Sequence, residues 1–242
     1  MFNRVEIKRN GLQAVKHYYM WGLIACVIYF AFSGELFHVN FSVNQFIMAI
    51  QSGNLIQFLS AYYNDYSLID SGFMAFFGVL GVIYQLIKSL LGFLWDIFVV
   101  NVLEVGLLRF FLKNREKETS ISELSVPFQN NYKNIAIAQF YKKFYVFIGT
   151  ICLIIPGIIF YFQYYFVPFL LADNPSLTPT EALAQSKKMT EGLKLDIFIF
   201  ELSFIGWLIL SGIIPYVGKF IIHPYLYAAR SELYVCLKER RL

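Results

Sequence analysis

Apolar residues come in long unbroken blocks along this chain, separated by short polar connections. The blocks run over about 18–37, 73–112, 144–172, 195–213 and 217–237. Strands of a membrane barrel would alternate over about ten residues. Continuous blocks of this length predict helices that cross lipid, each needing about 20 apolar residues. The fold class is therefore an all-α, polytopic membrane bundle.

The third block carries Pro156-Gly157 at its centre, which predicts a turn there and two arms, 144–155 and 158–172. The total is about six spans. Each arm is short for a full crossing, so a shallow hairpin stays open as an alternative. The 73–112 block would form a helix about 60 Å long at 1.5 Å per residue, so it is expected to project from the membrane or break near Gly92.

Between the third and fourth blocks lies a legible surface helix, 179–191. Thr178 is its N-cap, Pro179 takes the first helical position, and Glu181 completes a T-x-x-E capping box. Gly192 ends it. Ala182, Ser186, Met189 and Leu193 share one face, which is expected to lie against the membrane or the bundle.

Charge then sets the topology. Of 20 lysines and arginines, all but Lys88 and Lys219 fall in the N-terminal arm, 109–143, 187–194 or 230–241. If those regions are cytoplasmic, both termini lie inside and 39–72 lies outside. A five-pass arrangement would put Arg240 and Arg241 on the far side. The N-terminal arm itself, with Arg4, Lys8, Arg9 and Lys16, is expected to lie along the membrane surface and lead into a retained first span. No cleavable leader is expected.

The composition agrees: 58% hydrophobic and only 15% charged, against about 25% charged in soluble domains. The net charge of +4 is spread over connections, which argues against nucleic acid as a partner. Cys26, Cys152 and Cys236 read as small apolar residues. His17, His38 and His223 are scattered, and no metal motif, Walker loop or nucleophile elbow occurs. No cofactor and no enzymatic activity is expected.

Two places could carry chemistry. On a helical wheel Gly78, Gly81, Gln85, Lys88, Ser89, Gly92 and Asp96 fall within about 100°. That stripe is either a packing seam or a polar path with Lys88 and Asp96 as its charges. Glu201 stands inside the fourth block, followed by Ser203, Gly206 and Trp207. A carboxylate there is costly. Its partner is expected to be Lys88, Lys219 or a tyrosine hydroxyl, unless it takes up a proton. Trp207 and Tyr225 complete the set of ligand or coupling candidates. "YFQYYF", 161–166, reads as an aromatic belt.

The stretch "LIIPGIIFYFQYYFVPFLLADNPSLTPTEALAQSKKMTEGLKLDIFIFELSFIGW", followed by "HPYLYAARSELY", resembles an uncharacterised bacterial integral-membrane family, domain-of-unknown-function family nine-seven-five. The likeness rests on Pro156, Gly157, Asp173, Asn174, Pro175, Glu181, Ala182, Ser186, Met189, Gly192, Lys194, Phe198, Leu202, Ser203, Phe204, Ile205, Gly206, Trp207, Pro224, Tyr225 and Tyr234. Glu201 stands where the family commonly has aspartate. A looser likeness links the hairpin and the 179–191 helix to the membrane domain of some glycerophosphodiester phosphodiesterases, without their catalytic motif. The resemblance implies a multi-pass protein of the bacterial cytoplasmic membrane and brings no activity with it.

Three functions remain open. The first is a non-enzymatic protein that binds or passes an amphipathic ligand, lipid or peptide, or serves as the membrane subunit of a complex, homo-oligomer included. The second is a small secondary transporter coupled through Lys88, Asp96 and Glu201. The third is a lipid-acting enzyme, the weakest because no nucleophile or metal cluster is visible.

Overall fold

The computed structural model describes residues 2–33, 83, 86–115, 119–207, 209 and 217–241. Among them every regular element is helical and no strand occurs. The chain divides into two units, Ser33–Asp96 and a larger one made of Met1–Phe32 with Ile97–Leu242. Each is taken by itself below.

In the larger unit α1, Arg4–Ser33, bends by 93° at Tyr18. Its basic arm and its apolar half therefore run in different directions. Helix α2, Asn101–Asn114, follows a π turn that ends at Val100. A 3-10 turn, Ile121–Leu124, and one helical turn, Val126–Gln129, return along it. Gly106 permits that return, because a Cβ there would run into the backbone of Leu124. Arg109 and Lys113 hold Glu123 at 2.7 and 2.6 Å. Partial burial pushes the Glu123 carboxyl up, but those two hydrogen bonds and charges outweigh it and leave it below the usual carboxylate range.

Helices α3, Tyr132–Cys152, and α4, Ile154–Gln163, form a hairpin. Its turn is not at Pro156-Gly157, as the sequence suggested, but at Leu153, whose backbone is extended (φ −167°, ψ 151°). Pro156 sits in the first turn of α4, where a missing N–H leaves no helical bond unmade. Gly157 serves packing instead: a Cβ there would lie 2.9 Å from the Thr150 Cα. The first arm also begins earlier than 144, at Tyr132, so its 21 residues include Lys133, Lys142 and Lys143.

Helix α5, Val167–Asp173, continues α4 after a break at residues 164–166. By length and composition three runs are able to cross a membrane: Leu86–Asn114, Tyr132–Cys152 and Ile154–Asp173. The bent pair in α1 makes a fourth if counted as one span. The 195–213 block is not one straight helix. Helix α7, Lys194–Leu202, stops at a turn, Ser203–Phe204. There the Lys8 ammonium donates to the Ser203 carbonyl at 3.2 Å. The last helix, α8, Val217–Arg241, contains Pro224 and buries Ser231 and Glu232, the latter paired with Arg115 at 2.8 Å.

Helix α6, Pro179–Thr190, has the capping box that its sequence signals: Thr178 Oγ1 accepts from the Glu181 N–H at 3.3 Å, and Glu181 accepts from the Thr178 N–H at 2.8 Å. These bonds hold the exposed Glu181 carboxyl below its ordinary range. Its apolar face is buried through Ala182, Ser186 and Met189. What that face covers is the α4–α5 break. Ser186 Oγ donates to the Gln163 carbonyl at 2.9 Å and accepts from the Phe166 N–H at 3.2 Å. Thr190 Oγ1 adds a bond to the same carbonyl at 3.2 Å. A broken helix with no water nearby needs such partners.

Burial switches along the hairpin. Residues 135, 136, 138 and 139 and the whole of 166–172 are buried. The tip is not: Ile151, Leu153, Ile154 and Ile155 are each about 70% exposed. A run of such residues belongs in lipid.

Two outcomes follow. Ser186→Ala removes both of its bonds to the break and leaves the Phe166 N–H buried without an acceptor. It is expected to cost about 1–3 kcal/mol, read as a lowered midpoint of thermal unfolding in detergent. Cys152, exposed beside the tip, should resist a membrane-impermeant maleimide in sealed vesicles of either orientation and react once detergent is added, tested in a Cys26→Ala, Cys236→Ser background. Labelling before detergent would put the tip in water.

Candidate functional site

Glu201 lies one residue before the end of α7, and its carboxylate is held from two sides. Arg230 of α8 grips it with a fork: Nε reaches Oε1 at 2.9 Å and Nη2 reaches Oε2 at 2.6 Å. The Tyr165 hydroxyl, from the α4–α5 break, donates to Oε1. Both charged side chains are mostly covered, at 26% and 17% exposure. Planar bidentate geometry is the strongest form of such a pair, and it suits a site with little water. The guanidinium also lies 5.9 Å from the Tyr227 ring. Lys8 senses the same carboxylate from the N-terminal arm while its ammonium sits 4.2 Å over Phe204.

The pair does not stand alone. Lys142 on α3 lies within electrostatic reach of Glu104 on α2 and of Arg230. Tyr161 on α4 lies within reach of Arg230, Glu201 and Glu104. Polar groups on five helices, α2, α3, α4, α7 and α8, are thus within electrostatic reach of one another, around the hydrogen-bonded trio of Tyr165, Glu201 and Arg230. One turn before Lys142 and Glu104, Gln139 Nε2 donates to the Asn101 carbonyl at 3.4 Å, which ties α3 to α2 there. This region falls where the buried end of the α3–α4 hairpin gives way to its exposed apolar end.

The groups differ in how they are satisfied. Glu201 and Arg230 are paired with each other. Lys142 and Glu104 are half-buried, and neither makes a hydrogen bond or ion pair among the described residues. The Asn101 side-chain amide, 3% exposed, has a donor nitrogen without a partner.

The other residues named from the sequence have local roles or stand elsewhere. Asp173 accepts from Tyr234 at 2.9 Å and from Lys238, closing α5 onto α8. Asn174 accepts from the Ser176 backbone and hydroxyl at 3.1 and 2.6 Å, a turn that carries the chain through Pro175 to α6. Pro224 packs near Gly22, and Tyr225 meets Phe204 edge to face at 5.6 Å. Trp207 is half-exposed, and a Cβ on Gly206 would meet nothing within 4 Å.

Lys88 and Asp96 belong to the Ser33–Asp96 unit; Lys88 is exposed and Asp96 half-buried. A Cβ built on Gly92 meets nothing within 4 Å among the described residues. Gln85 and the Lys219 side chain lie outside the described residues. Of the partners expected for Glu201, the tyrosine hydroxyl is present as Tyr165.

Sequence reasoning missed Arg230, Lys142 and Glu104. Arg230 was grouped with the basic tail, although its surroundings, "YLYAARSELY", are far more apolar than that tail. Lys142 looked like one member of a basic connection. Among the described residues no group of three histidine, cysteine or acidic side chains could hold a metal ion.

Removing one member of the fork strands the other. Arg230→Met is expected to destabilise by about 3 kcal/mol, whereas the double variant Glu201→Leu, Arg230→Met should cost clearly less, since no uncompensated charge is left. Equal losses in a double-mutant cycle of unfolding midpoints would refute the coupling.

Neither a curated protein nor a solved structure matches the chain. A family model does match, described as "Protein of unknown function (DUF975)", over residues 1–241. With its helices apolar enough for lipid and a match running almost end to end, the chain belongs to that family of unknown function, DUF975.

Proposed function

We propose that this protein works without catalysis in a bacterial cytoplasmic membrane, binding or passing an amphipathic ligand, lipid or peptide, or serving as the membrane subunit of a larger complex. In this reading the chain passes about six times and keeps both termini in the cytoplasm, where the positive charges of the four basic regions favour them. Export of, or immunity to, membrane-active peptides is one concrete version.

One observation carries the proposal. Polar groups of five helices lie within electrostatic reach of one another where the α3–α4 hairpin turns from buried to exposed and apolar, and among the described residues Lys142, Glu104 and the Asn101 amide nitrogen make no hydrogen bond or ion pair. Ionisable groups at such depth are costly unless something meets them. A ligand with a polar end and an apolar body meets both kinds of surface at once.

The transporter alternative asks Glu201 to exchange protons. Both carboxylate oxygens are already engaged by the Arg230 fork, and Oε1 by the Tyr165 hydroxyl as well, which favours a structural role for Glu201.

Purification in mild detergent followed by native mass spectrometry tests the proposal. The full chain should carry a lipid, a peptide or a stoichiometric partner. A bare chain after gentle extraction overturns it.

A further inference from the structure

Where α4 ends, α6 ends and α7 begins, the chain forms an open groove of about 290 Å³ lined by Gln163, Lys187, Glu191, Gly192, Lys194 and Leu195. We propose that this groove holds the phosphodiester of an anionic phospholipid whose acyl chains lie along the exposed side of α7. The site is separate from the Glu201 region. It needs the membrane setting of the proposed function and holds whether or not that region takes a ligand.

Gln163 is the fixed part of the site, being only 8% exposed. Lys194 Nζ donates to its Oε1 at 3.2 Å, which makes the other end of the amide the donor. That Nε2 makes no hydrogen bond among the described residues, and it is not sealed inside the protein. A nearly buried donor that reaches a groove without an acceptor calls for one from outside.

Charge supplies the rest. Lys187, at the end of α6, makes no ion pair among the described residues and shares the groove with the Lys194 ammonium. Glu191 lines it as well, equally unpaired there, so the lining carries two positive charges and one negative. The single negative charge of a phosphodiester balances that difference, whereas a phosphomonoester carries nearly twice as much. The start of α7 adds to the attraction. Its cap position is Leu193, which offers the first amides no side-chain acceptor, and an anion suits such a helix end.

The border of the groove selects lipid over free phosphate. Leu195 is 76% exposed, and Phe198, Ile199 and Leu202 repeat at helical spacing to carry an exposed apolar side along α7. Lys187, Lys188 and Lys194 gather at the head of that side. Basic residues heading an apolar helix face match a phosphate heading its acyl chains.

The test offers the full chain, in mild detergent, equal amounts of phosphatidylglycerol and phosphatidylcholine, and counts by native mass spectrometry what is retained. Wild type is expected to keep phosphatidylglycerol over phosphatidylcholine by about tenfold. Lys187→Gln with Lys194→Gln should remove that preference. Lys187→Gln alone, a surface change that leaves the Gln163 bond intact, should reduce it and serves if the double variant fails to fold. Lys188→Gln, the same loss of charge one residue outside the groove, should leave it unchanged, and Glu191→Gln should strengthen it. Equal retention by wild type overturns the inference. So does a preference that survives the double variant, falls as far with Lys188→Gln, or weakens with Glu191→Gln. Displacement of phosphatidylglycerol by excess inorganic phosphate would assign the groove to a free anion and overturn the lipid. These outcomes leave the proposed function standing, whereas a chain that retains nothing overturns both.

Discussion

The arginine fork on Glu201 is the interaction around which the larger unit is organised. It joins α7 to α8, and the Tyr165 hydroxyl joins both to the break between α4 and α5. An acid and a base brought out of water separately would each be prohibitive. Together, in bidentate geometry and with a phenol on a further lone pair of Oε1, they become tolerable. Such a pair need not add net stability over apolar residues of the same size. Its contribution is positional: it fastens α7 to α8 at Glu201 and Arg230.

A second device of the same kind lies a few residues away. Where α4 stops, the chain frees a carbonyl at Gln163 and an N–H at Phe166, and α6 supplies the hydroxyls of Ser186 and Thr190 to meet them. The capped helix that looked from its sequence like a surface element is therefore a plug. Its amphipathic face was legible, since Ala182, Ser186 and Met189 repeat at helical spacing. The serine's purpose was not, because nothing local in "EALAQSKKMT" says that a helix break lies opposite. The break at 164–166 has one local signal, Pro168 in the first turn of α5, where its missing N–H suits a helix start.

The same contrast holds across the chain. Helical class, membrane character and the α6 cap follow from periodicity and from local chemistry, and these are readable. The hairpin turn was misplaced because proline and glycine signal a turn in general, while here proline occupies a first helical turn and glycine a close contact. The charged cluster was only half visible. Glu201 stood out against its apolar neighbours, but Arg230 and Lys142 merged with basic segments that look alike when read one residue at a time. Only tertiary packing separates a lysine that faces solvent from one that is half-buried among helices.

The hairpin joint at Leu153 bears on how the protein is made. A single residue between α3 and α4 leaves no slack for one arm to settle in the bilayer while the other waits outside. In a bilayer the two arms, in close contact at Gly149 and Gly157, would have to enter as a pair rather than one after the other.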